Sequence, residues 1–328
     1  RSTLFPYTTL FRSARLEPAV TTTAPGRPGT ALVIGEALVD VVIHPGEEPV
    51  DIPGGSPANV ALGLARLGRD VELDCWIGTD PRGTAVRAHL EASGVRLTTG
   101  CDGAARTSTA QATIGEDRAA TYVFDLDWNP PYPTRTRGTE DPLLVHTGSI
   151  AAILEPGAST VASVLKDFRA TSTICYDPNA RPQLMGTSEE ARATVEALVA
   201  LSDLVKCSDE DITWFYGEDC DLEEVLRGWL KIGPSLVVVT RGKKGALALS
   251  ASGVRLEVPA DPNVVVADTV GAGDSFMGGL EDALWSENLV GADRREALRT
   301  VDADTVERIV RHEPGRSEER RVGKECRS

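Results

Sequence analysis

Short apolar blocks alternate with amphipathic stretches over most of this chain, and this alternation constrains the fold more than any other feature. The apolar blocks have the length of buried strands and lie at residues 31–34, 71–77, 143–147, 173–176, 203–206 and 235–240. Stretches with helical periodicity separate them, at residues 56–67, 81–93, 157–168, 188–201 and 222–231. Because strands joined by helices run parallel, the pattern predicts an α/β fold with a doubly wound, mostly parallel sheet flanked by helices.

Polar and small residues follow several of these predicted strands. Glu36 and Asp40 come after the first block, Asp177 ends the block at 173–176, and Thr240 ends the last block. Ligands of parallel sheets bind beyond the C-terminal ends of the strands. The sequence therefore predicts a binding site at this edge, close to the Gly54-Gly55 turn.

Three strand-like segments do not fit the alternation, because no helix separates the first from the block at 31–34 or the second from the third. They lie at residues 39–43, 108–114 and 119–124. They predict a small β layer beside the main sheet. The alternative is a surface β-hairpin that has no mobile role.

The segment from Asp268 to Gly279 reads DTVGAGDSFMGG and places glycines and a carboxylate at the start of a helix. Glycine lets backbone N–H groups point outward, and the positive end of the helix dipole favours an anion. A carboxylate opposes a bound phosphate unless it takes a proton from a hydroxyl that attacks the phosphorus. The segment therefore predicts phosphoryl transfer to an alcohol, with Asp274 as the base. The alternative is an ordinary helix start in which Asp274 is a capping residue.

This segment resembles the second signature of the PfkB, or ribokinase-like, carbohydrate kinase family. Two earlier segments agree with the resemblance, namely GEALVD from Gly35 to Asp40 and GGSPANVA from Gly54 to Ala61. The motifs occur in family order, and the resemblance spans residues 30 to about 285. It implies a ribokinase-like fold in which the small β layer is a lid over the sugar and pairs with the lid of a second copy.

The resemblance also implies a role for individual residues. Asp274 is the catalytic base, and the amides of Gly271, Ala272 and Gly273 form the anion hole for the transferred phosphoryl group. Asp40, Gly54, Gly55 and Asn59 hold sugar hydroxyls. Arg181 lies in YDPNARP, which resembles a segment of fructokinases and 2-keto-3-deoxygluconate kinases, and we expect it at the substrate. The competing interpretation is a surface arginine after a turn.

The nucleotide and metal sites are less sharply marked. Thr240, Gly242 and Gly245 resemble the nucleotide-site loop of the family, although a bare hairpin turn has a similar sequence. Glu210 and Asp211 fall in a segment that arranges water around Mg²⁺ in the family, with Ser208 in place of the usual Asn and Asp211 in place of Glu. A capping box at the start of a helix from Glu210 to Phe215 explains the same residues. Asp268 is expected at a monovalent-cation site for K⁺.

The three motifs together look most like an ATP-dependent fructokinase that produces fructose 6-phosphate. 2-Keto-3-deoxygluconate kinase and ribokinase are the alternatives within the family. An alternative of another class is a non-catalytic sugar- or nucleotide-binding homologue, or an inactive truncated fragment. No Walker A motif occurs in the chain.

The charge and cysteine content restrict the partners and the compartment. The chain has 49 acidic and 34 basic residues and a net charge of −15, which argues against nucleic acid or an anionic membrane as a partner. Cysteines 75, 101, 175, 207 and 220 form no C-x-x-C pair. They predict reduced thiols and a cytoplasmic protein.

The two ends of the chain differ from the rest. Residues 1–13 and 316–328 pair in reverse order as codons that are reverse complements, for example Phe5 (TTT) with Lys324 (AAA). We interpret both tails as translated sequencing-adapter DNA and exclude them from the fold. Residues 14–29 are expected to be a loose leader. Residues 30–315 are expected to form the kinase domain, truncated at its C-terminus, with lid segments at about 39–52 and 106–126.

Overall fold

The computed structural model describes residues 26–114, 120–135, 140–260 and 271–312. Its strands are β1 (Thr30–Ile34), β2 (Leu38–Ile43), β3 (Val50–Gly54), β4 (Asp70–Asp74), β5 (Arg96–Leu97), β6 (Thr109–Ile114), β7 (Ala120–Asp125), β8 (Leu144–Gly148), β9 (Thr173–Asp177), β10 (Leu204–Ser208), β11 (Leu236–Thr240), β12 (Ala246–Ser250) and β13 (Arg255–Val258). Its α-helices are α1 (Ser56–Arg66), α2 (Pro81–Ala92), α3 (Gly157–Phe168), α4 (Ser188–Val199), α5 (Asp209–Tyr216), α6 (Leu222–Ile232), α7 (Ala272–Ser286), α8 (Arg295–Arg299) and α9 (Ala303–Val310). Short 3₁₀ turns lie at Ser149–Ala152, Gly242–Lys244 and Ala292–Arg294.

The main sheet has nine strands in the order β13-β12-β11-β10-β9-β8-β1-β4-β5. From β11 to β5 every neighbouring pair is parallel, whereas β12 and β13 add an antiparallel edge. The strands β1, β8, β9, β10 and β11 therefore end at the same edge of the sheet. This arrangement confirms the predicted mostly parallel sheet.

Apolar side chains cover both faces of the main sheet. Ala31 and Val33 of β1 point to one face and pack with α1, α2, α7 and α9, whereas Leu32 and Ile34 point to the other and pack with α3, α4, α5 and α6. Alternate residues of a strand lie on opposite faces, so a strand covered on both sides reads as a continuous apolar run. The predicted doubly wound fold is confirmed.

A second sheet of four strands has the order β3-β2-β6-β7. The strand-like segments that break the alternation therefore form a separate small sheet, and β3 supplies a fourth strand that was not predicted. Val50, Tyr122 and Val123 of this sheet are about half exposed. The last residue of β3, Gly54, leads directly into α1.

Several boundaries differ from the prediction. The strand expected at 71–77 ends at Asp74, and β5, β12, β13, α8 and α9 were not predicted. The last residues of the expected leader contact the domain, because Arg27 pairs with Asp293 at 2.8 Å and its carbonyl accepts a hydrogen bond from Trp285. The predicted tails at 1–13 and 316–328 lie outside the described residues.

Among the residues that the structure describes, every helix is too short or too polar to cross a lipid bilayer.

Candidate active site

Asp274 lies in the first turn of α7, directly after a tight turn. Gly271 is the N-cap of this helix and has a φ of 74°, a left-handed conformation that glycine adopts without strain. The amides of Ala272 and Gly273 then lie in the first turn, where no intrahelical acceptor exists for them. The turn therefore presents N–H groups that have no acceptor within the helix, together with the positive end of the helix dipole, beside a carboxylate.

The carboxylate of Asp274 is held by two side chains of α1. Its Oδ1 accepts a hydrogen bond from Oγ of Ser56 at 2.7 Å, and its Oδ2 accepts one from Nδ2 of Asn59 at 2.9 Å. Asp274 is 7 % exposed. The side chain therefore lies at a floor formed by two helices, with one donor on each oxygen. Asn59, predicted to hold a sugar hydroxyl, contacts the predicted base.

Asp40 packs against the turn that precedes α1. A methyl group added at Gly54 would lie 2.3 Å from Oδ2 of Asp40, so the carboxylate would have to move if residue 54 were not glycine. Gly55 has a φ of 108°, and a methyl group there would lie 2.4 Å from the carbonyl oxygen of Glu36. The structure thus brings together Asp40, Gly54, Gly55, Asn59 and Asp274, which belong to three separate motifs of the sequence.

A buried lysine lies beneath the amide turn. Lys206 of β10 pairs with Oδ2 of Asp177 of β9 at 2.8 Å, and both side chains are almost fully buried. A methyl group added at Gly273 would lie 2.9 Å from Nζ of Lys206. The ammonium group therefore packs directly on the backbone of the predicted anion hole. Burial opposes its charge, but Asp177, Asp211 and Asp274 raise the pKa of Lys206, so the side chain is a fixed cation.

Arg181 is exposed and contacts Asn179. Its Nη1 donates to the backbone and side-chain oxygens of Asn179 at 2.9 and 2.8 Å. Asn179 in turn donates from Nδ2 to Oγ of Ser56 at 2.8 Å. A chain of hydrogen bonds therefore connects Arg181, Asn179, Ser56 and Asp274.

Burial perturbs two carboxyl groups at this floor. Burial raises the pKa of Asp40 to about 6, partly offset by the charge of Arg181 and reinforced by that of Asp274. Burial also raises the pKa of Asp177 to about 6 against the opposing effect of Lys206. A cleft in which carboxyl pKa values move toward neutrality is typical of a site that binds polar ligands or transfers protons.

The predicted nucleotide loop connects two antiparallel strands. Thr240 ends β11 beside Ser208 of β10, and the chain returns into β12 after a 3₁₀ turn at Gly242–Lys244. A methyl group added at Gly242 would meet nothing within 4 Å, whereas one at Gly245 would lie 2.0 Å from the carbonyl oxygen of Val258. The loop is thus a hairpin turn at the same edge of the sheet as Asp177 and Lys206. Close packing therefore requires glycine at position 245, whereas the space next to Gly242 is open.

The predicted magnesium residues have different surroundings. Asp211 forms a capping box with Ser208, and its two oxygens accept from the amides of Ala180 and Ser208 at 2.8 Å each. The contacts of Asp211 therefore agree with the alternative capping-box interpretation. The helix begins at Asp209. Glu210 is exposed in the first turn of α5. Asp268 lies outside the described residues, within which no group of three or more His, Cys, Asp or Glu side chains could hold a metal ion.

Sequence reasoning placed Asp177 at the predicted binding edge without giving it a role, and it missed Lys206 and Ser56 as site residues. Lys206 stands in an otherwise apolar strand block, and a lysine there requires a buried partner. That signal was available in the sequence, but the partner, Asp177, lies 29 residues earlier in a different strand. Ser56 belongs to the GGSPANVA segment, and its contact with Asp274 spans 218 residues.

Comparisons with known proteins identify the family of this chain. A family model described as pfkB family carbohydrate kinase matches residues 30–303. A fructokinase of Klebsiella pneumoniae is 34% identical over 265 residues, which cover 77% of this chain and 83% of that protein.

Two solved structures share the fold. A fructokinase from Xylella fastidiosa with bound ATP has a TM-score of 0.71 at 24% identity and covers 86% of this chain and 88% of its own. A double mutant of fructokinase from Vibrio cholerae O395, bound to fructose, ADP and potassium, has a TM-score of 0.68 at 26% identity. It covers 87% of this chain and 91% of its own.

Proposed function

Because this chain belongs to the pfkB family of carbohydrate kinases, we propose that it transfers the γ-phosphoryl group of ATP to a primary hydroxyl of D-fructose and produces fructose 6-phosphate. The observation that carries the proposal is the fixed carboxylate of Asp274, held by Ser56 and Asn59 beside the amides at the start of α7. A base next to an anion site is the combination that phosphoryl transfer to an alcohol requires.

Asp274 acts as the general base. The sugar hydroxyl approaches the carboxylate within hydrogen-bond reach, and the proton moves to Asp274 as the oxygen attacks the γ-phosphorus in line. Ser56 and Asn59 fix both oxygens of the carboxylate, so the base is oriented before the sugar arrives. Such preorganisation lowers the reorganisation needed at the moment of reaction.

Backbone amides and one buried cation stabilise the charge of the transferring group. The amides of Gly271, Ala272 and Gly273 donate to its oxygens, and the dipole of α7 adds a partial positive charge at the same point. Lys206 supplies a full positive charge behind Gly273. Its pair with Asp177 keeps the ammonium group in place when the site is empty of phosphate.

Asp40, Gly54, Gly55, Asn59 and Arg181 form the sugar side of the site. Asp40 accepts hydrogen bonds from sugar hydroxyls, and the two glycines let the backbone approach the ring. Arg181 is exposed and close enough to Asp40 to lower the pKa of that carboxyl group. We assign it to the substrate side, where it offers a charged donor.

The nucleotide lies along the edge formed by Thr240, Gly242 and Gly245, where β11 ends. Mg²⁺ neutralises charge on the ATP phosphates when it is bound. Glu210 would hold this ion through water, because it offers an exposed carboxylate in the first turn of α5. Glu210 is the better support for a water-bridged metal than Asp211, whose oxygens already accept from backbone amides. Asp268 is assigned to K⁺.

The expected compartment is the cytoplasm, where ATP is available. The cysteines that the structure describes are free, and four of them are buried, as reduced thiols are in that compartment.

The decisive experiment is a coupled ADP-release assay over a panel of fructose, 2-keto-3-deoxygluconate and ribose. We expect the highest kcat/KM with fructose. A preference for the acid would reassign the substrate and give Arg181 a role at the carboxylate. A thermal shift with sugar and ATP but no ADP release with any sugar would favour the non-catalytic binding homologue.

A further inference from the structure

A fully buried ion pair lies beneath the catalytic helix. Nδ1 of His146, on β8, is 2.6 Å from Oε1 of Glu281, on α7, and neither side chain is exposed. Nε2 of His146 and Oε2 of Glu281 have no hydrogen-bond partner within the described part of the chain. Each group therefore depends on the other for its charge compensation.

The pair connects a central strand with the helix that carries the base. β8 lies between β1 and β9 in the main sheet. Glu281 follows Asp274 by seven residues, so both lie on the same face of α7 about 10 Å apart along the helix axis. A shift of Glu281 along that axis would carry Asp274 with it.

Other directional contacts also hold α7, because Ser56 and Asn59 of α1 donate to Asp274 and Arg69 pairs with Asp282 at 2.6 Å, whereas Glu281 connects the helix with strand β8 of the main sheet. Gly278 lies midway between the two acids, and a methyl group added there would first meet the carbonyl oxygen of Val60 on α1, at 3.7 Å. A glycine surface has no side chain that interdigitates with the opposite helix. The hydrogen bond between His146 and Glu281 is directional, in contrast to apolar packing.

Charged and polar groups of two elements face the pair. Burial opposes the charge of His146, but Glu281, together with Asp177 and Asp274, raises the pKa of the imidazole. Burial raises the pKa of the Cys175 thiol on β9, and the charge of Glu281 adds to this effect. His146 therefore faces carboxylates on α7 and on β9.

We propose that His146 and Glu281 are positioning residues, which fix α7 against the sheet and thereby align Asp274 and the amides at residues 271–273 with the sugar. This inference rests on the proposed kinase function. Neither residue is placed at the reacting atoms, and both act through Asp274. We therefore expect the alignment of Asp274, and not only the stability of the protein, to depend on the hydrogen bond between His146 and Glu281.

The test compares Glu281→Gln, which retains the shape but removes the charge, with the double variant His146→Leu/Glu281→Met. Apolar replacement of both partners of a buried pair commonly preserves stability, so the double variant separates stability from alignment. We expect kcat to fall by about tenfold or more in both variants, since small displacements of catalytic groups cost that much, while KM for ATP changes less than about twofold. Leu226→Ala, in the core of α6 on the opposite face, is the matched control, with a lower Tm and unchanged kcat.

Hydrogen exchange of residues 272–286 provides a readout that does not depend on turnover. We expect faster exchange of these amides in both variants and no change there in Leu226→Ala. Wild-type kcat in the double variant, or unchanged exchange in α7, would overturn the proposal. If the double variant does not fold, kcat and hydrogen exchange of Glu281→Gln alone test the proposal. Absence of turnover in the wild-type protein would refute the kinase function instead, and the exchange experiment would still test the pair.

Discussion

The base of the proposed reaction takes its orientation from a helix other than its own. Ser56 and Asn59, three residues apart on α1, donate to opposite oxygens of Asp274. Of the two, Asn59 is the residue with a proposed contact to the sugar, whereas Ser56 links Asp274 to Asn179. Ser56 is therefore the position at which orientation can be tested separately from sugar binding.

Replacing Ser56 with Ala removes one of the two donors to Asp274. We expect kcat to fall by about tenfold, with KM for the sugar within about threefold of the wild-type value, because the ground-state contacts remain. Steady-state kinetics of sugar phosphorylation measures both constants. Ser163→Ala on the exposed face of α3 is the control, since its hydroxyl donates only to its own helix. A Ser56→Ala enzyme with unchanged kcat would contradict this role.

The raised pKa of Asp40 predicts a pH effect on sugar binding. Because the pKa is about 6, the carboxylate that accepts sugar hydroxyls is fully formed only above that pH, and kcat/KM for the sugar should fall as the pH drops below it. Asp177 has a similar raised pKa and contributes to the same limb. Asp40→Asn should therefore reduce the slope of log kcat/KM by about one below pH 6, and an unchanged slope would exclude Asp40.

At the scale of the elements, the turn between β3 and α1 lies against Asp40 and leads into the helix that carries Asn59. Gly55 combines a left-handed φ with close approach to the carbonyl oxygen of Glu36. Gly94 has a similar φ of 87°, and an added methyl group there would meet nothing within 4 Å. A comparison of substitutions at Gly55 and Gly94 therefore separates the energetic cost of backbone strain from the cost of a steric clash.

Gly55→Ala should lower the free energy of unfolding by about 3 kcal/mol or more, because a displaced backbone adds to the conformational strain. Gly94→Ala should cost only about 1 kcal/mol, from the strain alone. Denaturant unfolding of both variants gives the comparison. If both variants lost the same free energy of unfolding, the backbone would move away from the carbonyl oxygen of Glu36 without an energetic cost.

The sequence predicts best those elements whose signal is local. The block at 31–34 corresponds to β1 because both faces of that strand are buried, so every residue is apolar. The strand β13 was missed because it is four residues long and only half buried at the sheet edge. A short edge strand has neither a continuous apolar run nor a long alternation.

The site residues also differ in whether a local sequence signal identifies them. The glycines and the N-terminus of α7 follow from local conformational chemistry, so the segment from Gly271 to Asp274 was predicted. The pair between Lys206 and Asp177, by contrast, depends on two strands that become neighbours only in the folded sheet. A buried lysine in a strand block indicates that a partner exists, but the sequence does not identify it.

At the scale of the whole molecule, the small sheet presents an apolar outer surface. Val50 and Tyr122 are 49% and 52% exposed on its two edge strands, β3 and β7. We propose that two copies pair through this sheet, in agreement with the expectation from the sequence. Large exposed apolar side chains on one sheet favour such an interface.

The double variant Val50→Asp/Tyr122→Asp should shift the protein toward the monomer in sedimentation equilibrium, because charged side chains oppose burial in an interface. Ile232→Asp is the matched control, since that side chain is equally exposed but lies at the end of α6. If the wild-type protein is monomeric at high concentration, the pairing proposal is wrong.

The central claim is that Asp274 removes the proton from a sugar hydroxyl during phosphoryl transfer. The most direct measurement is the rate of ADP release by Asp274→Asn at saturating ATP and fructose, together with its affinity for ATP. Asparagine retains the shape but cannot accept the proton, so the rate should fall by about 10³-fold or more, while ATP affinity remains within about threefold. An Asp274→Asn protein that turns over within about tenfold of the wild-type rate would contradict the account.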